Sequence, residues 1–159
     1  MSTQVTRVTP EITAWAGLLR AHAATTRRFN AQLVAAHGLT LSAYEVLLHL
    51  KRAEGGRLRR VDLAERVLRT PSGITRLLEG LERNGYVERA SCESDARVTY
   101  AQLTEAGEAK LREAAETHVT GIREFFRDRF SEGELGTLGT LLERLPAEPP
   151  GDADLDCGQ

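Results

Sequence analysis

No apolar run in the chain approaches the ~20 residues that a membrane-spanning helix needs. The first ten residues, M-S-T-Q-V-T-R-V-T-P, lack the apolar centre of a secretory signal. The expected location is therefore cytoplasmic, with no membrane partner. Cysteine occurs only at Cys92 and Cys157. Two cysteines cannot build a disulfide framework or a four-ligand zinc site. No cluster of His, Cys and carboxylates has metal-ligand spacing, so neither a metal nor a cofactor is expected. The enzyme signatures H-E-x-x-H and G-x-S-x-G, the phosphate-binding loop and the dinucleotide fingerprint are all missing. Gly133, Gly136 and Gly139 recur every third residue, but in a leucine-striped segment rather than after a strand. The residues thus give no support to an enzyme. Lysine is scarce, 2 residues against 19 arginines, which reflects genome composition rather than function.

What is present suits one ordinary domain, or two small lobes sharing a core, in 159 residues. Apolar residues make up 41% and charged residues 28%, with both signs interspersed. Net charge is −2, which does not by itself suggest a nucleic-acid partner. The distribution is more informative: Lys51 to Leu103 carries +3 and the remainder −5. A positive excess confined to one stretch is what contact with phosphates requires.

Start and stop signals divide the chain. Thr9-Pro10 offers an N-cap followed by proline at the first helical position. Ile12, Ala16, Leu19, Ala23, Thr26 and Leu33 follow a helical period to a stop at Gly38. Pro10–Ala36 would form a rod of about 40 Å, too long to be covered by its own lobe and so a candidate dimer interface. Ser42-Ala43-Tyr44-Glu45 reads as a capping box, with Val46, Leu47 and Leu50 on the buried stripe. Glu54-Gly55-Gly56 breaks that helix, and Arg57-Leu58-Arg59 offers a minimal strand. A short third helix is expected over Val61–Leu68, with Val61, Ala64, Val67 and Leu68 inward. Thr70-Pro71 repeats the start signal, and Ile74, Leu77, Leu78 and Leu81 recur at i, i+3, i+4 and i+7. Asn84-Gly85 ends that fourth helix. Tyr86–Ala90 and Val98–Leu103 read as a hairpin joined by the polar turn Ser91–Arg97. Thr104 caps a fifth helix, striped by Leu111, Ala115, His118, Ile122, Phe125 and Phe126, to about Phe130. Ser131 and Glu134 form a second capping box, leading into Leu135, Leu138, Leu141, Leu142 and Leu145 before Pro146. The proline-rich acidic stretch 146–159 is expected to be disordered.

The fourth helix carries the chemistry. With its apolar stripe buried, Ser72, Gly73, Thr75, Arg76 and Glu79 face outward. Gly73 permits close backbone approach. Ser72 and Thr75 can bond base edges or phosphates, and Arg76 can fork onto a guanine edge. Thr70 sits at the positive end of the helix, which suits phosphate. Asp95 and Arg97 share one side of the hairpin, so Asp95 can aim Arg97 through a charge-assisted bond. A narrow A·T-rich minor groove attracts such an arginine. With Ser42, these residues make the candidate DNA-contacting set: Ser42, Thr70, Ser72, Gly73, Thr75, Arg76, Asp95 and Arg97.

The run L-A-E-R-V … T-P-S-G-I-T-R-L-L-E-G-L-E-R-N-G-Y-V-E-R … D-A-R-V … L-T-E-A-G resembles the MarR family of bacterial transcription regulators. The likeness extends from about Pro10 to Leu145. Its most specific pieces are the D-x-R wing and the Leu103-Thr104-Glu105-Ala106-Gly107 opening of the fifth helix. The resemblance implies a mainly α fold with a small β-hairpin. A winged helix-turn-helix lobe, 39–103, would be inserted between helical dimerisation segments, 10–36 and 104–145. It implies a homodimer on a near-palindromic double-stranded operator, with recognition helices ~34–36 Å apart. Ser72–Arg76 would enter the major groove and Arg97 the minor groove. Repression is the commoner behaviour in that family.

The resemblance also implies release from DNA by a small aromatic acid or drug-like molecule. Trp15, His22 and Tyr44, with Arg89 as carboxylate partner, are the candidate pocket. The competing reading of Trp15, His22 and Tyr44 is core or interface packing. Some relatives sense peroxide through a cysteine early on the first helix, where this chain has Ala16. An oxidant-responsive regulator using Cys92 is one alternative, and a winged-helix protein-interaction module is another.

Overall fold

A computed structural model describes residues 8–67 and 70–145 of the chain. The acidic stretch 146–159, Pro146 and Leu68 lie outside the described residues. The order is α1 (Pro10–His37), α2 (Leu41–Arg52), a short turn of helix (Glu54–Gly56), β1 (Arg57–Arg59), α3 (Arg60–Arg66), α4 (Pro71–Arg83), β2 (Val87–Ser91), β3 (Thr99–Leu103), α5 (Glu105–Arg127) and α6 (Glu132–Leu142). The fold is mainly helical, as expected. Its β part exceeds a hairpin, because β1 pairs antiparallel with β3 to give a three-stranded sheet of order β1-β3-β2. Leu58 lies opposite Ala101 in that register.

Each helix begins where the local chemistry starts it. Thr70, Thr104 and Ser131 each accept a hydrogen bond from a backbone N–H in the first turn, and Ser131 and Glu134 form the expected reciprocal box. The start of α2 differs from expectation. Gly38 takes the left-handed conformation, Leu39 is buried, and Thr40 rather than Ser42 is the cap, its Oγ1 accepting from Ala43 N at 3.1 Å. Ser42 therefore lies inside the first turn. At Thr9 the expected cap position holds without a side-chain cap bond, so Pro10 and the first-turn Glu11 favour the start of α1.

One continuous core joins α1, the middle elements and α5. Leu33 of α1, Val46, Leu47 and Leu50 of α2, Leu63 of α3, Ile74, Leu78 and Leu81 of α4, and Leu111 and Ala114 of α5 are all buried in it. Truncating a fully buried leucine such as Leu33 to alanine costs about 2–5 kcal/mol. Val61 was expected inward but is 62% exposed. The covered residues are Leu63 and Ala64 of α3 and Val67 just past its end, while Val61, at the second position of the helix, faces solvent. α5 ends at Arg127, slightly before the expected Phe130.

Two glycines set how closely α5 can approach its neighbours. A Cβ on Gly107 would collide with the Tyr86 carbonyl and come within 2.8 Å of Leu103 Cδ1. A Cβ on Gly121 would strike the Gln32 side chain of α1. The first contact explains the L-T-x-x-G pattern: Thr104 N donates to Tyr86 O at 3.1 Å, its Oγ1 donates to Gly85 O at 2.6 Å, and the helix then turns directly over that carbonyl.

Candidate nucleic-acid interface

α4 follows α3 through a short connection and presents its own N-terminus. Thr70 Oγ1 accepts from Gly73 N at 3.2 Å and lies 3.3 Å from Ser72 Oγ. Ile74, Leu78 and Leu81 fix the helix on the core, leaving Ser72, Arg76 and Glu79 exposed. Gly73 and Thr75, expected to face fully outward, are half-buried at the edge of the helix's contact with the lobe. Ser42 joins Gly73 and Arg76 around an open cleft of about 390 Å³, which Asn30, Thr40 and Leu77 complete. Six of the eight candidate DNA contacts, Ser42, Thr70, Ser72, Gly73, Thr75 and Arg76, thus cluster about the first turns of α2 and α4.

The remaining pair forms the tip of the β2–β3 hairpin. Val98 N donates to Asp95 O at 3.0 Å, closing the turn. Asp95 Oδ1 accepts from Arg97 N at 3.0 Å and from Arg97 Nε at 3.1 Å, and Oδ2 accepts from Nη2 at 3.4 Å. The Arg97 side chain is 91% exposed while Asp95 is 40% exposed. Those bonds hold the Asp95 carboxyl below its ordinary range, the side-chain bond contributing most. The arrangement leaves a cation standing free of the tip with its direction limited by a neighbour.

A family model described as the MarR family matches residues 37–98. YetL of Bacillus subtilis (strain 168), an HTH-type transcriptional repressor, is 33% identical over 114 residues, covering 70% of this chain and 68% of YetL. The chain belongs to the MarR family. AbsC, a MarR family transcriptional regulator from Streptomyces coelicolor, matches at a TM-score of 0.74 and 31% identity, covering 86% of this chain and 93% of AbsC. Sco3205, a MarR family regulator of the same organism solved in complex with DNA, gives 0.76 at 29% identity, covering 91% of this chain and 95% of Sco3205. This MarR-family chain is therefore a DNA-binding transcription regulator with a winged helix-turn-helix, and not an enzyme.

The residues expected to form a ligand pocket are scattered in this MarR-family chain. Trp15 and His22 stand exposed on the N-terminal half of α1. Tyr44 is buried, its ring edge-on to His118 at 4.9 Å. Arg89 on β2 is already paired, with Nε 3.1 Å from both carboxylate oxygens of Glu82. Cys92, the residue of the oxidant-responsive alternative, is 5% exposed, with Sγ 3.1 Å from Ser94 Oγ, so its sulfur is not presented on the surface of the wing.

Two groups in this region take roles that no local pattern reveals. Asn30 accepts from Leu41 N at 3.0 Å and so pins α2 to α1. His118 packs edge-on against Phe29 and Tyr44, and its buried Nδ1 has no hydrogen-bond partner among the described residues. Burial pushes its pKa down from 6.5. Periodicity puts His118 on the inward stripe, but nothing local shows which rings it meets.

Proposed function

We propose that the chain represses transcription by binding a near-palindromic operator as a homodimer, and that a small aromatic acid or drug-like molecule loosens it. The observation that carries the proposal is the pairing of two surfaces on one protomer. One is the reading surface: the α4 face with Ser42, Thr70, Ser72, Gly73, Thr75 and Arg76, beside the Asp95-aimed Arg97. The other is apolar and uncovered: Ile12, Trp15, Leu18 and Leu19 on α1, with Leu141, Leu142 and Leu145 at the other end of the chain. So much exposed apolar side chain at the two chain ends supports burial against a second copy. A two-fold axis there gives two reading surfaces and a repeated half-site. Repression is in keeping with YetL, a transcriptional repressor.

The ligand-responsive part rests on Trp15 and His22 lying on the same helix face that a second copy would cover. Tyr44 sits behind that helix, and Arg89 becomes a carboxylate partner only if Glu82 releases it. The deciding experiment measures binding to the intergenic DNA flanking the chain's own gene, with particle size determined in parallel. A dimer-sized protein that retards this DNA in preference to a scrambled duplex is the expected result; a monomer indifferent to sequence would sink the proposal. Salicylate-like acids should weaken the complex by about 1–3 kcal/mol. Unchanged affinity across a broad panel of such acids would remove that part alone.

A further inference from the structure

The cleft between the first turns of α2 and α4 contains a side chain with unused donor capacity. Asn30 turns Oδ1 to Leu41 N at 3.0 Å, which fixes the orientation of its amide. Nδ2, with two donors, has no hydrogen bond among the described residues. Across the same cleft stands Arg76, exposed and without an ion-pair partner among the described residues. Thr40 Oγ1 is occupied by Ala43 N. No carboxylate lines the space. An open cleft with one oriented neutral donor and one unpaired guanidinium suits a tetrahedral oxyanion. It opens beside the exposed face of α4, where the duplex backbone would pass.

We infer that this cleft seats one backbone phosphate of the bound duplex, with Arg76 supplying charge and Asn30 Nδ2 a directional bond. The inference rests on the proposed operator binding and refines it. Arg76 then anchors and orients rather than reading a guanine edge, since phosphate contacts set register without carrying sequence. Base discrimination falls to Ser72, Thr75 and the wing. Asn30 becomes a positioning residue that connects α1 directly to DNA.

Asn30→Asp is the informative variant. It keeps an acceptor for Leu41 N, at a helix start where a carboxylate is favoured, and it replaces the donor with a charge that repels phosphate. The expected result is an unchanged or higher thermal midpoint with operator affinity weakened about ten-fold or more, comparable to losing a charge-assisted hydrogen bond. A non-specific duplex should lose a similar factor. Asn30→Ala, lacking both donor and added charge, should lose less. Replacing phosphates one at a time by neutral methylphosphonate should reveal one position per half-site at which the Asn30→Asp penalty largely disappears. Arg76→Ala should flatten the salt dependence by about one unit of slope. Wild-type affinity in both Asn30 variants, or a penalty that no single methylphosphonate relieves, overturns the phosphate seat while leaving operator binding intact. A wild-type chain that binds no duplex overturns the operator reading itself, and the seat with it.

Discussion

Gly107 packs its bare Cα against the carbonyl of Tyr86, at the point where the wing's first strand and the start of α5 meet. Any side chain there must displace the Tyr86 backbone as well as the Leu103 side chain. Gly107→Ala should therefore lower stability by about 1–3 kcal/mol, the usual cost of overpacking, despite alanine's better helix propensity. Urea unfolding would show this as a lower midpoint at constant slope. Stability equal to wild type would mean that the strand yields easily, and the contact would lose its structural importance.

Arg97→Ala should weaken operator binding and reduce the salt slope by about one unit. Asp95→Ala leaves the cation in place but frees its direction, so it should weaken binding less and leave the slope unchanged. Titrations at several salt concentrations separate the two effects. Equal affinity and an equal slope for Arg97→Ala would exclude the wing from the contact.

Acid should destabilise the fold in a window set by two half-buried histidines. His118 sits between Phe29 and Tyr44, and burial holds its pKa below 6.5. His49 is lowered too, by burial first and then by Arg66 and Arg52. A group protonated more readily in the unfolded chain stabilises the fold above its unfolded pKa, and that stability is lost as pH falls through the lower folded value. The thermal midpoint should thus decline as pH drops from about 6.5, the unperturbed histidine value, before the carboxylates of Asp95 and Glu108 protonate. His118→Phe should decline less steeply over that range. A variant with the wild-type pH profile would show that His118 does not contribute.

Leu19→Glu and Leu142→Glu place charge on side chains already exposed within one protomer. Their folds should survive, while sedimentation should show monomers and operator affinity should fall. Dimers persisting in both variants would direct the search for the interface elsewhere.

Local signals carried much of the architecture. Thr70-Pro71, Thr104 and the Ser131–Glu134 box fixed three helix starts, because each cap is a contact within one turn. The stripe Ile74, Leu78, Leu81 identified the buried face of α4 for the same reason. What escaped depends on distant partners. The minimal strand Arg57–Arg59 is legible, but its pairing is not, because Leu58 lies opposite Ala101 across most of the lobe. Ser42 and Thr40 are both competent caps, and the left-handed Gly38 with buried Leu39 decides between them. Arg89 read as an available cation because nothing in its own strand reveals that Glu82, seven residues earlier on α4, closes on it. Asn30 and His118 carry no motif; their roles arise only where α1, α2 and α5 meet.

Leu33 enters the core of the reading lobe while the same 28-residue helix extends to the exposed Trp15. α1 therefore acts as a lever clamped at one end. Its length is about 42 Å at the usual helical rise. A tilt of about 5° at the clamped end would move the free end by nearly 4 Å, close to the ~3.4 Å spacing of successive bases. In a two-fold dimer pivoting on those free ends, the same small rotation would shift each reading surface by about one base step. On the proposed dimer, the distance between the two reading surfaces would then follow a hinge angle, and the proposed ligand, wedged beside α1, would change it without touching either DNA-facing surface.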